Sequence, residues 1–169
     1  MSRPVLESLP VLLQDEIKLV EQDNLEDAFM KQQEVVPFLQ NIPVEKWNYR
    51  YAEGKWSIGE VIQHIIDAER ILCNRALVIA RKDTSTPLLS FDENHYGVAA
   101  KAANRSKEDI ISELSAVQLS TLKLFESFDE EQLKTTGTVN NYTIDVNALG
   151  FVICGHTVHH LNIIKERYF

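Results

Sequence analysis

The chain has 169 residues, 44% hydrophobic and 25% charged, proportions that are ordinary for one globular domain spanning residues 1–169. Its 17 Lys and Arg against 25 Asp and Glu give a formal net charge of −8, which disfavours a nucleic-acid partner because phosphate binding needs a basic face. The sequence has no apolar run near the ~20 residues that span a bilayer, so no membrane partner is expected.

Two cysteines, Cys73 and Cys154, are too few for a disulfide framework in a chain of this size. The N-terminal segment lacks the apolar centre of a secretory signal. Together these features predict a reduced, cytoplasmic protein. The cysteines themselves are interpreted as small buried apolar residues, because each lies beside large aliphatic side chains.

Helical periodicity dominates most of the chain. Residues 1–20 are mixed, with two prolines, and predict one or two short helical turns. Residues 23–41 carry apolar side chains near one helical face and predict the first long helix. Pro43 is expected to close it.

The second long helix has the clearest signals. Ser57 and Glu60 form an S-x-x-E pattern that predicts a capping box, and apolar positions at helical spacing continue to about Arg81. Residues 82–105 then predict a long irregular connection. Connections of this length are uncommon and often cover a functional site.

A third helix is predicted from a second capping box, Ser106 with Asp109, to about Phe125. Residues 129–144 are polar and turn-rich, with no convincing strand and room for one short extended piece. A fourth helix is predicted over 145–168. Four helices of about 19–25 residues predict an all-α four-helix bundle, and the long connection between helices 2 and 3 permits a crossover.

Three of the five histidines lie between positions 156 and 160. His156 and His160 are four residues apart on an apolar helical stripe, so both imidazoles face the same way. His64 lies on the apolar stripe of the second helix, and the three rings are predicted to meet inside the bundle. His159 is displaced around the helix and is interpreted as structural or as a support for the ligands.

Three neutral imidazoles without a fourth protein ligand leave a metal position open, as in catalytic rather than structural sites. Water bound there would have a lowered pKa and could act as a nucleophile, or a thiolate could displace it. The alternative is that the histidines are hydrogen-bonded core residues.

Other side chains are weaker candidates for chemistry. Asp67, three residues after His64, could orient an imidazole or act as a base, and so could Glu60 if its cap did not already occupy it. Asp92, in the long connection, could approach the site. The competing interpretation for these carboxylates is a solvated or capping role.

Two arginines of the second helix, Arg70 and Arg75, could bind an anionic substrate, or serve as ion-pair partners at the surface. The chain has no phosphate-binding glycine-rich loop and no nucleophile elbow.

Three segments resemble a known family. Residues 51–64 carry a GKWS…H pattern, Phe91–Asn94 reads FDEN, and residues 155–168 read GHxxHH followed by ERY. In this order they resemble the signatures of the DinB-like (DinB/YfiT) superfamily, over about residues 19–169. His95 departs from the family pattern, in which Asp is more usual after FDEN.

The resemblance implies a four-helix bundle, usually a homodimer, with a divalent metal, zinc or nickel, held by His64, His156 and His160. Relatives include metal-dependent hydrolases and S-transferases or isomerases that use a low-molecular-weight thiol such as bacillithiol or mycothiol. The sequence therefore predicts a metal-dependent hydrolase or thiol S-transferase acting on a small molecule. The alternative is a non-catalytic stress-response or interaction protein in which the metal or the histidines are structural.

Overall fold

The computed structural model describes residues 2–7 and 9–169. Of the segment 1–20, only Met1 and Ser8 lie outside the described residues. The described chain is mostly helical, with one β-hairpin of strands β1 (Thr136–Val139) and β2 (Tyr142–Asp145). The helices are α1 Val11–Lys18, α2 Leu25–Gln32, α3 Val35–Gln40, α4 Val44–Trp47, α5 Ile58–Ala80, α6 Glu93–Ala99, α7 Lys107–Glu126, α8 Glu130–Lys134 and α9 Val146–Arg167, with a 3-10 turn at Ala102–Asn104.

The long helices α5, α7 and α9 form three sides of a bundle, and α2 with α3 forms the fourth. Helix α1 packs along the outside of α9. One part of the core surrounds Phe29, Phe125 and Phe151, with the first two rings 4.9 Å apart. The other surrounds α5 and α7 at Ile62 and Leu114. Burial of each such side chain stabilises the fold by about 1.5–3 kcal/mol. The arrangement of the helices confirms the predicted four-helix bundle.

The first predicted long helix, over residues 23–41, is wrong as a single element. The structure ends α2 at Gln32 and begins α3 at Val35. Pro37 explains the break, because it has no N–H to donate to the carbonyl of Gln33 and its ring would collide with that carbonyl. Within the first turn of a new helix the same proline is well tolerated.

The long connection is less irregular than predicted, because it contains α6 and a 3-10 turn. The Asp92 carboxylate accepts hydrogen bonds from the backbone N–H groups of Asn94 and His95, each at 3.0 Å, and so caps α6. Helix α6 then packs against α5. Gly97 permits this approach, since a Cβ there would lie 3.1 Å from the Trp56 ring.

Two local predictions in the second half of the chain are corrected. Residues 136–145 form a complete hairpin rather than one extended piece, and Asn140 makes the turn with a left-handed φ of 53° that Asn tolerates. At α7 only half of the predicted capping box forms. The Ser106 hydroxyl accepts from the Asp109 N–H at 3.1 Å, but the Asp109 carboxylate pairs with Arg105 at 2.7 Å.

The two helices that carry the histidines begin where the sequence predicts. At α5, the Ser57 hydroxyl accepts from the Glu60 N–H, and the Glu60 carboxylate accepts from the Ser57 N–H at 2.7 Å. At α9, the Asp145 carboxylate accepts from the Ala148 N–H at 2.6 Å. These caps satisfy backbone donors that the helix cannot pair itself. Among the described residues no helix is long and apolar enough to cross a membrane.

Candidate metal centre

Three imidazoles converge where α5 faces α9. The Nε2 atom of His156 lies 3.1 Å from the Nε2 atom of His64 and 3.1 Å from that of His160. The ligand-competent atoms of all three side chains lie within 4.8 Å of one another. His64 is buried, and the other two rings are partly buried. The residues that the sequence singles out on two separate helices are thus brought together.

The spacing of the three nitrogen atoms fits a shared cation better than a hydrogen-bonded cluster. A single ring nitrogen offers one in-plane site, either an N–H or a lone pair, so the Nε2 atom of His156 cannot form two good hydrogen bonds at once. Tetrahedral coordination with metal–nitrogen distances near 2.1 Å would separate ligand nitrogens by about 3.4 Å. The donor set and its spacing therefore fit a divalent metal.

Burial keeps these imidazoles neutral, which is the form that binds a metal. Loss of hydration is the largest cause in each case. It lowers the pKa of His64 to about 4, and that of His156, with help from His64, to about 3. For His160, burial and the neighbouring His156 lower the pKa to about 2. The ring nitrogens of these three histidines therefore keep a lone pair for a metal well below neutral pH.

Aromatic residues support the His64 ring from the other side. The Trp56 ring lies 4.9 Å from the His64 ring, centroid to centroid. Tyr168, near the end of the chain, donates a hydrogen bond from its hydroxyl to the Trp56 carbonyl at 2.5 Å. Sequence analysis does not predict these positioning contacts, because Trp56 and Tyr168 are 112 residues apart.

A small pocket of about 230 Å³ opens beside the histidines, with His160 in its wall. Trp56 and Tyr168 contribute aromatic surface, and Lys55 and Asn94 contribute polar groups. The presence of Lys55 and Asn94 within the GKWS and FDEN segments is the only sequence signal for them. A larger groove of about 640 Å³ lies on the other face of α9, but none of the histidines lines it. Of these two cavities, only the smaller one includes a clustered histidine in its lining.

The two weak carboxylate candidates lie apart from the three histidines. Asp67 accepts a hydrogen bond from the Gln63 amide at 3.1 Å and lies 3.9 Å from the Arg70 guanidinium, and burial raises its pKa. Asp92 is engaged as the cap of α6. Glu60 likewise pairs with Arg50 at 2.5 Å besides closing its capping box. Neither Asp67 nor Asp92 joins the histidine cluster.

The two arginine candidates have separate structural contacts. Arg70 pairs with Glu113 at 2.5 Å on the surface between α5 and α7. Arg75 is buried, and its guanidinium donates to the Leu89 carbonyl at 2.7 Å, holding the long connection against α5. Burial lowers the pKa of Arg75. Neither residue lines the pocket beside the histidines.

The remaining histidines and both cysteines are outside the cluster. His95 and His159 are exposed, although the His159 ring lies 5.0 Å from that of His160. Cys154 is buried, and Cys73 is partly buried with its sulfur 3.2 Å from the Thr121 hydroxyl. Burial raises the pKa of Cys73 to about 12 and raises that of Cys154 as well. Neither thiol is therefore a reactive nucleophile.

A second buried polar group lies in the bundle, centred on the Glu69 carboxyl. Glu69 is 2% exposed, accepts from the Thr121 hydroxyl at 2.5 Å and accepts from the Gln32 amide at 3.0 Å. The Gln32 amide also donates to the Thr157 hydroxyl at 2.9 Å, next to His156 in the chain. This network joins α2, α5, α7 and α9.

Replacing Glu69 with glutamine is expected to make the protein more stable at high pH. Burial raises the pKa of Glu69 from 4.5 to about 7. As pH rises from about 4.5 to 7, the unfolded state loses this proton while the folded state keeps it, so wild-type stability falls over that range. At pH 8 the free energy of unfolding of Glu69→Gln should therefore exceed that of wild type by roughly 3 kcal/mol, with little difference at pH 4. Urea unfolding across this pH range measures it.

The surface variant Glu126→Gln is the control, since that side chain is exposed. Its pH profile should follow that of wild type. Buried histidines titrate in the wild type and in both variants alike, so they cancel in the comparison. Parallel profiles for wild type and Glu69→Gln would contradict a protonated buried Glu69.

Three solved structures are similar in fold to this chain. YfiT from Bacillus subtilis, described as "a probable metal-dependent hydrolase with an unusual four-helix bundle topology", matches with a TM-score of 0.63 at 16% identity, covering 98% of this chain and 93% of that one. A mycothiol-dependent maleylpyruvate isomerase matches with a TM-score of 0.62 at 13% identity and 94% coverage, and this chain spans 62% of its length. The DinB-like protein YjoA from Bacillus subtilis gives 0.58 at 19% identity, covering 83% and 86% of the two chains.

These identities establish a common fold and no more. No protein with a curated description matches the sequence. A family model, however, matches residues 30–164, most of the chain and all three clustered histidines, and its description is the DinB superfamily. With the bundle and the resemblance of its motifs, this match leads to one conclusion: the chain belongs to the DinB superfamily.

Proposed function

We propose that this protein is a metal-dependent enzyme in which His64, His156 and His160 hold a divalent metal beside the small pocket. The observation that carries the proposal is the convergence of three Nε2 atoms, two of them 3.1 Å from the third, with His160 in the wall of a pocket open to solvent. Three imidazoles leave room for an exogenous ligand, as catalytic sites do. Zinc and nickel are the proposed metals, because both accept imidazole ligands.

The reaction proposed is hydrolysis or transfer to a thiol, with the nucleophile supplied from outside the chain. A divalent metal held here would supply Lewis acidity and lower the pKa of water or of a thiol. The chain's own thiols cannot replace this nucleophile, because Cys73 and Cys154 are shielded and their pKa values are raised. The similar structures support this reaction class, since one is described as a "probable metal-dependent hydrolase" and another as mycothiol-dependent.

The chain's residues position the reactants rather than react. Neutral imidazoles on two capped helices fix the metal position from opposite sides. Trp56 buttresses the His64 ring, and Tyr168 fixes the backbone of Trp56. A homodimer in the cytoplasm is the proposed working state.

A catalytic site should exchange ligands, and this can be measured directly. We expect the protein loaded with Co²⁺ to develop a thiolate-to-metal absorption band on addition of a small thiol, because three histidines leave a position for it. Thermal unfolding with and without a chelator is measured in parallel. A modest loss of stability together with thiol binding supports the enzyme.

The alternative, a metal that only braces α5 against α9, predicts the reverse pattern. Chelation would then cause a large loss of stability, since metal-binding energy would be folding energy. No thiol band would appear, because the coordination sphere would be closed. That combination would overturn the proposed function while leaving the histidine cluster as a metal site.

A further inference from the structure

The pocket beside the histidines has a polar side whose chemistry indicates a charge preference. Lys55 and Asn94 line it, and no carboxylate from the described residues does. This is unusual for a chain with a net charge of −8. Glu60, next to the lining residue Val61, is paired with Arg50, and the exposed Glu53 and Glu93, next to the lining residues Gly54 and Asn94, do not themselves line the pocket.

Lys55 is held at the pocket by its backbone rather than by an ion pair. Its carbonyl accepts a hydrogen bond from the Arg50 guanidinium at 2.7 Å. Gly54 precedes it with φ of 72°, a conformation that turns the chain and that other residues adopt at a cost. The next residue, Trp56, is fixed through its carbonyl by Tyr168. Among residues 2–7 and 9–169, no carboxylate forms a salt bridge with the Lys55 ammonium.

The rest of the pocket lining is largely apolar. Val61 and Ile163 contribute aliphatic surface, and Trp56, Tyr51 and Tyr168 contribute rings. A volume of about 230 Å³ equals the liquid volume of about eight water molecules, less than a drug-sized ligand needs. A lysine in a lining that is otherwise largely apolar favours a small molecule with one anionic end.

Resting on the proposed function, we infer that the substrate of this site is a small organic carboxylate with an apolar or aromatic body. The Lys55 ammonium pairs with the carboxylate at the pocket mouth, and the Asn94 amide adds a hydrogen bond. The apolar body lies along the rings towards His160. Neutral molecules of the same shape lose the charge-assisted interaction, which is the stronger kind.

Binding of two matched probes tests the inference. Benzoate and benzamide have the same shape and differ in charge, and their dissociation constants are measured by NMR titration with metal-loaded and with metal-free protein. We expect wild type to prefer benzoate, and Lys55→Met to weaken benzoate binding by about fivefold in both metal states while leaving benzamide nearly unchanged. Lys123→Met removes an equal charge from the exposed face of α7 and should change neither constant.

The titrations of metal-loaded and of metal-free protein separate this inference from the proposed function on which it rests. If the protein takes up no metal, the proposed function fails, while the metal-free titration still reports on Lys55. Equal affinity of wild type for benzoate and benzamide, or an unchanged benzoate constant in Lys55→Met, would overturn the carboxylate assignment alone. Equal losses in Lys55→Met and Lys123→Met would also overturn it, because the effect would then come from net charge.

Discussion

Replacing His160 with alanine is expected to abolish stoichiometric binding of a divalent metal. The Nε2 atom of His160 lies 3.1 Å from that of His156, and no fourth ligand from the described residues joins the cluster to compensate. Loss of a residue that merely supports a ligand weakens metal binding by about 10–100-fold, so loss of one of three ligands should cost on the order of 100-fold or more. His64→Ala, from the facing helix, should have the same effect.

The measurement is the metal content of protein purified without a polyhistidine tag, followed by calorimetric titration with Zn²⁺ and Ni²⁺. His159→Ala and His95→Ala are matched controls, because both side chains are exposed and outside the cluster. Both should retain one metal per chain. Wild type without stoichiometric metal, or full retention by His64→Ala and His160→Ala, would show that the three histidines are not a metal site.

The parts of the fold that the sequence predicts well are those encoded locally. The side chains of Ser57 and Glu60 each accept a hydrogen bond from the backbone N–H of the other residue. Because both lie within four residues, the start of α5 can be predicted without the rest of the molecule. The histidine cluster can be predicted from the sequence for a related reason. A helix places residues four apart on one face, and the apolar stripe around His64 shows which face of α5 turns inward.

The errors arise where one residue outweighs an average pattern or where the partner is distant. Pro37 interrupts an otherwise helical apolar pattern, and its missing N–H decides against a continuous first helix. The Asp109 carboxylate forms an ion pair with Arg105 instead of accepting a hydrogen bond from the Ser106 N–H. The arginine, one turn away, competes with the backbone for this carboxylate. The pocket is the extreme case, since Lys55 and Asn94 meet only after α6 packs on α5.

Helices α1 and α9 approach each other closely at Gly155, directly before the ligand candidate His156. A Cβ at Gly155 would overlap the backbone carbonyl of Glu16 in α1. Backbone cannot rotate away as a side chain can, so α1 would have to separate from α9 to make room. The absence of a side chain at this position is therefore what allows α1 to cover α9.

Gly155→Ala is accordingly expected to lower the free energy of unfolding by roughly 2–3 kcal/mol, even though alanine favours a helix over glycine by about 1 kcal/mol. This corresponds to a fall in Tm of roughly 5–10 °C for a chain of this length.

Gly150→Ala, on the same helix, is the control. Its Cβ would meet only side-chain atoms, those of Leu25 at 2.7 and 2.8 Å and of Phe125 at 2.9 Å, which can shift. It should change stability by less than about 1 kcal/mol, because helix propensity offsets the crowding. Chemical denaturation of the three proteins gives the comparison. Equal stabilities for Gly155→Ala and Gly150→Ala would mean that α1 yields at little cost, and that α5 and the bundle alone hold α9 and its two histidines in place.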